Sequence, residues 1–281
     1  MSKLLVDEIS DADNTGPVTV TDGLIGDVTG TLTGNVTGNL TGNVTGNING
    51  LTPQASNMQP FNRIINGAMT IDQRNAGAAV TPANAGYTLD RWKTFVSQSS
   101  KFTIQQNAGS VTPPSGFTNY LGVTSTASTS VGAGDFFFID QRIEGFNTSD
   151  LGFGTANAQS ITISFWVRSS LTGTFTGGLV NSANSRGYGF TYAISSANTW
   201  EKKTVTIAGD TSGTWLTTSG VGLTLIFGFG CGATYTTPTN GSWQAVNSFA
   251  GGSGGVNVVG TSGATFYITG VQLEAGSAAS S

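Results

Sequence analysis

The chain has 281 residues and a net charge of −4, with 9% charged residues, 10% aromatics and 41 glycines. Charge is far below the roughly 25% of an ordinary soluble domain and glycine is about twice its usual frequency, yet the aromatic and apolar content excludes intrinsic disorder for the body of the chain. With no histidine and one cysteine, Ser-His-Asp and Cys-His catalysis, His-ligated metal sites and an intrachain disulfide are all excluded.

Residues 1–25 read as a lead-in, with Leu4, Val6 and Ile9 as strand or docking residues. Met1 to Ser10 lacks a basic segment followed by an apolar one, so no signal peptide is expected, and no run of 18 apolar residues exists to span a membrane. Residues 26–50 repeat a four-residue unit: GDVT, GTLT, GNVT, GNLT, GNVT, GNIN. Four is a multiple of the strand period. An extended chain therefore puts Val28, Leu32, Val36, Leu40, Val44 and Ile48 on one face, alternating with glycine, and Asn and Thr on the other. So thin an apolar stripe cannot be buried by one strand alone. It predicts a shaft in which three chains close into a β-prism, or a β-solenoid, with these six residues as its core. Extended, the repeat would span about 80 Å. A flexible glycine-rich linker is the competing reading, but such a linker has no need of an apolar residue at every fourth position.

A linker at 51–60, with Pro53 and Pro60, leads into a body at 61–274 and a polar tail at 275–281. Strand signals dominate the body. Ile161 to Val167 alternates with Ile161, Ile163, Phe165 and Val167 on one face. Phe102 to Ile104, Phe136 to Ile139, Lys203 to Ile207, Val221 to Phe229 and Phe266 to Leu273 are further strands. Helix signals are poor, with turns expected only near Asp72 and Asp150. The spacing predicts an all-β body, a β-sandwich or jelly roll.

The search for chemistry finds little. Asp135, Asp140 and Glu144 form the best carboxylate cluster, but residues four apart on a strand are separated by about 13 Å, too far for a glycosidase pair without a bend. An Asp140–Arg142 or Arg142–Glu144 ion pair is the competing reading. Asp210 to Gly213 reads as an Asx turn rather than a calcium loop, and Gly251 to Gly255 lacks the Lys-Ser/Thr pair of a phosphate loop. Cys231 reads as a small buried residue, and Lys202-Lys203 as a solvated strand edge that offers nothing to nucleic acid. No catalytic, cofactor-binding or metal-binding residue is assigned. Trp200, Trp215, Trp243, Tyr188, Tyr192 and Tyr235 lie near Gly/Asn/Thr-rich turns. Flat rings beside amides and hydroxyls suit stacking on sugars, so Tyr188, Tyr235 and Trp243 are candidate glycan or receptor contacts, with packing in the core or a trimer interface as the competing reading.

A set of short strings runs in order across most of residues 61–274: Asn62 to Met69 (NRIINGAM), Gln73-Arg74-Asn75, Leu89 to Trp92 (LDRW), Asp140 to Glu144 (DQRIE), Ile163 to Ser169 (ISFWVRS), Asn198 to Ile207 (NTWEKKTVTI) and Gly270 to Glu274 (GVQLE). In these the body resembles the C-terminal region of bacteriophage tail-fibre and related virion appendage proteins, especially of marine phages. The resemblance implies a homotrimeric, non-enzymatic virion component with a jelly-roll tip like a carbohydrate-binding module. Its N-terminal region would dock on other virion proteins, and its tip would recognise host-surface glycan. The alternatives are an adaptor or capsid decoration fibre that binds no sugar, and a polysaccharide depolymerase built on Asp135, Asp140 and Glu144.

Overall fold

The structure, a computed structural model, describes residues 62–247 and 249–280. The lead-in, the repeat with its stripe of Val28, Leu32, Val36, Leu40, Val44 and Ile48, and the linker lie outside the described residues.

The described residues are all-β, with short 3-10 turns and no α-helix. Twelve strands run in chain order: β1 (Gly86–Leu89), β2 (Trp92–Val96), β3 (Phe102–Gln106), β4 (Leu121–Ser125), β5 (Phe136–Glu144), β6 (Ile161–Ser169), β7 (Gly173–Val180), β8 (Arg186–Ile194), β9 (Glu201–Ile207), β10 (Val221–Cys231), β11 (Trp243–Ala245) and β12 (Thr265–Ala275). They form a seven-stranded sheet, ordered β1-β2-β5-β10-β7-β8-β11, and a five-stranded sheet, ordered β3-β4-β12-β6-β9. All pairings between these strands are antiparallel. The six strand runs expected from the sequence fall in β3, β5, β6, β9, β10 and β12. A 3-10 turn at Ser149–Leu151 stands at Asp150, and hydrogen-bonded turns follow Asp72.

The core is the layer between the two sheets. Alternation sends Phe165 and Val167 of β6 inward from the five-stranded sheet, and Phe227 and Phe229 of β10 inward from the seven-stranded one, all fully buried. Phe165 meets Phe227 edge-on at 5.0 Å and Tyr192 at 4.9 Å, and Phe229 meets Phe266 at 5.2 Å. Each buried ring contributes on the order of 1.5–3 kcal/mol by leaving water. Lys202 and Lys203 lie on β9, an edge strand, where a charged side chain discourages further pairing.

Three of the strings that carry the resemblance, Leu89 to Trp92, Asp140 to Glu144 and Gly270 to Glu274, help to seat the first, Asn62 to Met69, on the sandwich. Asn62 Oδ1 accepts from the backbone N–H of Leu273 at 3.0 Å, and Arg63 donates twice to Asp150, at 2.6 and 2.8 Å. Asn66 O accepts from the indole N–H of the buried Trp92 at 3.1 Å. Gly67 lies so close to β12 that a Cβ there would stand 2.1 Å from Val271 O. In β12 itself the register shifts between Thr269 and Gln272, and Gly270 takes the left-handed φ of 61° that this bulge requires.

Candidate functional site

On β5 the residues Phe137, Ile139 and Ile143 enter the core, so Phe136, Phe138, Asp140, Arg142 and Glu144 stand on the outer face of the seven-stranded sheet. The same alternation puts Lys93 and Phe95 of β2, Thr224 and Ile226 of β10, and Val180 of β7 on that face. Part of it is roofed. Gly178, Gly187 and Gly189 carry no side chains there, and Phe249 and the chain to Gly252 lie directly over them: a Cβ on Gly178 would be 2.4 Å from the Phe249 ring. Glycine in β7 and β8 thus makes room for this loop.

Between the loop and β2 runs a cleft of about 470 Å³. Its floor is Phe138, Asp140, Thr224 and Ile226; Phe95 and Arg142 stand on one side, Tyr235 and Phe249 on the other, and the β7–β8 turn with Asn181, Ser182 and Asn184 bounds it. Phe95 stacks on Phe138 (5.0 Å, 12°), and Phe136 meets Tyr235 edge-on at 5.1 Å. A smaller depression of about 250 Å³ adjoins it through Asp140 and Arg142, lined also by Tyr87, Arg91, Lys93, Glu144 and Ser219.

Asp140 is the unusual group. Its side chain is 3% exposed, its Oδ2 lies 3.4 Å from Arg142 Nε, and its Oδ1 is buried with no hydrogen-bond partner. Burial pushes its pKa from 3.8 up to about 6, against the opposing pull of Arg142 and Lys93. Buried polar atoms are almost always paired, and perturbed carboxyls collect at functional sites. The structure divides the other two carboxylates of the sequence cluster from this role. Asp135 accepts from Ser97 Oγ, Gln98 Nε2 and the Gly132 N–H at 2.8–2.9 Å, which holds its pKa below the usual value and makes it a turn anchor. Glu144 accepts from Arg91 at 2.9 Å, and its pKa is likewise lowered. Asp210 accepts two hydrogen bonds from Arg186 and one from the Ser212 N–H, an Asx turn closed by an ion pair. The Cys231 thiol donates to Ala250 O at 3.5 Å, and burial raises its pKa to about 12.

Of the three aromatic contact candidates, Tyr235 lines the cleft. Tyr188 lies within β8 and packs on Trp243 of β11 at 5.2 Å; Trp243 in turn meets Trp215 at 5.3 Å and Phe153 at 5.6 Å, and donates its N–H to Ala208 O at 2.7 Å. These two sit in a half-buried aromatic cluster at the β8–β11 edge, apart from the cleft. Trp200 packs on Tyr120 and Tyr267 and donates to Thr112 O at 2.9 Å, a structural placement. Phe95, Phe138, Arg142 and Phe249 complete the cleft without having been singled out as contacts. The available signal was the triple Phe136-Phe137-Phe138: a strand apolar on both faces has an outer face that something covers.

No family model matches the sequence, and no curated protein matches it. Among solved structures, the chain is similar to a putative sugar-binding protein from Bacteroides thetaiotaomicron (12% identity, TM-score 0.40, covering 76% of this chain and 99% of that one). It is also similar to a family 11 carbohydrate-binding module from Clostridium thermocellum in complex with a β-1,3-1,4-mixed-linked tetrasaccharide (11% identity, TM-score 0.33, 70% and 95%). A third is the enzymatically active domain of tailspike protein 4 of bacteriophage CBA120 (11% identity, TM-score 0.39), where 76% of this chain matches and spans about a fifth (21%) of the tailspike chain. The two-sheet architecture rests on the strand pairings of this chain itself.

Proposed function

We propose that the protein is a non-enzymatic structural component of a phage virion, a short homotrimeric tail fibre or appendage, whose β-sandwich tip holds host-surface glycan in the cleft above Phe138 and Asp140. The observation that carries the glycan reading is the unpartnered, buried Oδ1 of Asp140 between aromatic walls. Sugar rings offer apolar C–H faces to aromatic rings and hydroxyl donors to a carboxylate, and this cleft supplies both. The virion part is supported by the four-residue repeat and by the strings in which the body resembles phage appendage proteins. In this reading residues 1–25 dock on other virion proteins, 26–50 form the shaft, 51–60 link it to the tip at 61–274, and 275–281 are a tail. Weak contacts at each tip, multiplied over three chains, give firm attachment with no chemical step. Tyr235 is the contact aromatic in the cleft; Tyr188 and Trp243 would be contacts of a second, separate patch.

Adsorption of the full chain to host cells, with and without competing surface polysaccharide, tests this. Saturable binding that polysaccharide competes, lost in Asp140→Ala and Tyr235→Ala, is the expected outcome. Absence of binding by the folded protein overturns the receptor role and leaves an adaptor or decoration fibre.

A further inference from the structure

At the β1–β2 end of the same outer face, three cations lie over two aromatic rings. Arg74 stands 5.3 Å and Lys93 5.6 Å from the Tyr87 ring; Lys93 stands 5.2 Å and Arg142 5.5 Å from the Phe95 ring. Register makes this a row across the strands: Tyr87 of β1 opposes Lys93 of β2, Lys93 opposes Asp140 of β5, and Asp140 opposes Ile226 of β10. The row therefore runs about 14 Å, from the cationic end straight onto the floor of the aromatic cleft.

Ion pairing there is incomplete. Arg91 is paired with Glu144, and Arg142 stands beside Asp140. Arg74 and Lys93 have no carboxylate within ion-pair distance among the described residues. The nearby acids are committed elsewhere: Asp72 accepts from the N–H groups of Asn75 and Gly77, and Asp90 from that of Gln73. The chain carries only 11 Lys and Arg residues and is net negative, yet four of them, Arg74, Arg91, Lys93 and Arg142, gather at this end of the face, two with no ion-pair partner among the described residues. Rings beneath the ammonium and guanidinium groups hold them in place with their outward donors free for an anion.

We propose that the ligand of this face is an acidic polysaccharide. A sugar ring lies in the aromatic cleft, with a hydroxyl donating to Asp140 Oδ1, and a neighbouring carboxylate or sulfate is held by Lys93 and Arg74. This deepens the glycan reading above and rests on it.

The test compares binding of the full chain to alginate and its carboxyl-reduced form, and to dextran sulfate and dextran. Expected are at least about tenfold tighter binding of one anionic polymer than of its neutral counterpart, and a loss of that advantage between 50 and 500 mM salt as the Debye length shrinks to a few ångström. The alginate and dextran sulfate arms tell carboxylate from sulfate recognition. The surface variant Arg74→Gln/Lys93→Met should reduce the charged polymer to the neutral level while leaving neutral binding and melting temperature unchanged. Equal binding of charged and neutral polymers overturns the anionic ligand and spares the glycan cleft; binding by neither anionic polymer overturns this inference.

Discussion

The carboxamide of Gln141 makes both hydrogen bonds that the backbone of Ile65 has to offer: its Oε1 accepts from the Ile65 N–H at 2.7 Å, and its Nε2 donates to Ile65 O at 2.9 Å. Gln141 is on β5 and fully buried, and stands beside Asp140, which faces the opposite side of the sheet. One side chain thus takes the place of a strand partner for the entering segment, while its neighbour opens onto the cleft. The string DQRIE therefore serves two faces at once: docking of residues 62–69 inside, and the candidate site outside.

Removing this side chain leaves backbone groups at Ile65 to find water and empties a buried position. Gln141→Ala should lower stability by about 1–3 kcal/mol, read as a lower urea midpoint with an unchanged slope. Gln141→Glu should cost a similar amount, because a carboxylate cannot donate to Ile65 O. A wild-type midpoint in both variants would mean that the 62–69 segment is held by its other contacts alone.

Asp140 should make the protein less stable as the solution is made less acidic. Its folded pKa of about 6 lies above the ordinary 3.8, so between these values the native state keeps a proton that the unfolded chain has released. Stability then falls as pH rises from about 4 to 6 and stays lower above. The charged groups facing Asp140 are Arg142 on its own strand and Lys93 opposite on β2, and both moderate the effect. Asp140→Asn should flatten this part of the profile and raise stability at pH 7 by about 1–3 kcal/mol, while weakening ligand binding, because a neutral amide oxygen accepts a hydroxyl less strongly than a carboxylate. A melting temperature at pH 7 below that of the wild type would show that the carboxylate is structural rather than held for a ligand.

Tyr192 offers a complementary case in the core. Its ring packs edge-on against Phe165 at 4.9 Å and stacks on Phe175 at 5.9 Å, but its buried hydroxyl has no hydrogen-bond partner. Burial alone raises its pKa. Tyr192→Phe keeps the ring and removes the unpaired group, so stability should hold or rise by up to about 1 kcal/mol. A clear loss would reveal a partner for the hydroxyl.

Much of the fold was legible because its strands alternate cleanly. In β6, Ile161, Ile163, Phe165 and Val167 share one face, and they are the inward residues observed. β7 and β8 were not legible: GTFTGGLV and RGYGFTYAI are rich in glycine, which reads as turn, and their outward glycines make sense only once the loop at Phe249 is seen lying on them. The same tertiary contact hid the cleft. Asp140 and Arg142 were recognisable as a charged pair on one strand face. That Phe95 and Phe249 would wall them in depends on strand order, which no local pattern in either segment encodes.

The four-residue stripe from Val28 to Ile48 makes the shaft an assembly prediction. In the proposed shaft a strand with Asn and Thr outside, and Gly alternating with one aliphatic residue inside, would bury too little apolar surface on its own and would need partners. Light scattering on the full chain should give about three times the 28.7 kDa of one chain. Deleting residues 26–50 should leave the melting of the β-sandwich and its per-site affinity for a soluble glycan unchanged, since every residue lining the cleft lies from Phe95 onward in sequence. It should, however, reduce attachment to a glycan-coated surface by about 10²-fold or more, because three linked tips rebind and a single tip does not. A full chain that scatters as a monomer, or a deletion that attaches as firmly as the intact protein, would remove the shaft from the account and return residues 26–50 to a linker.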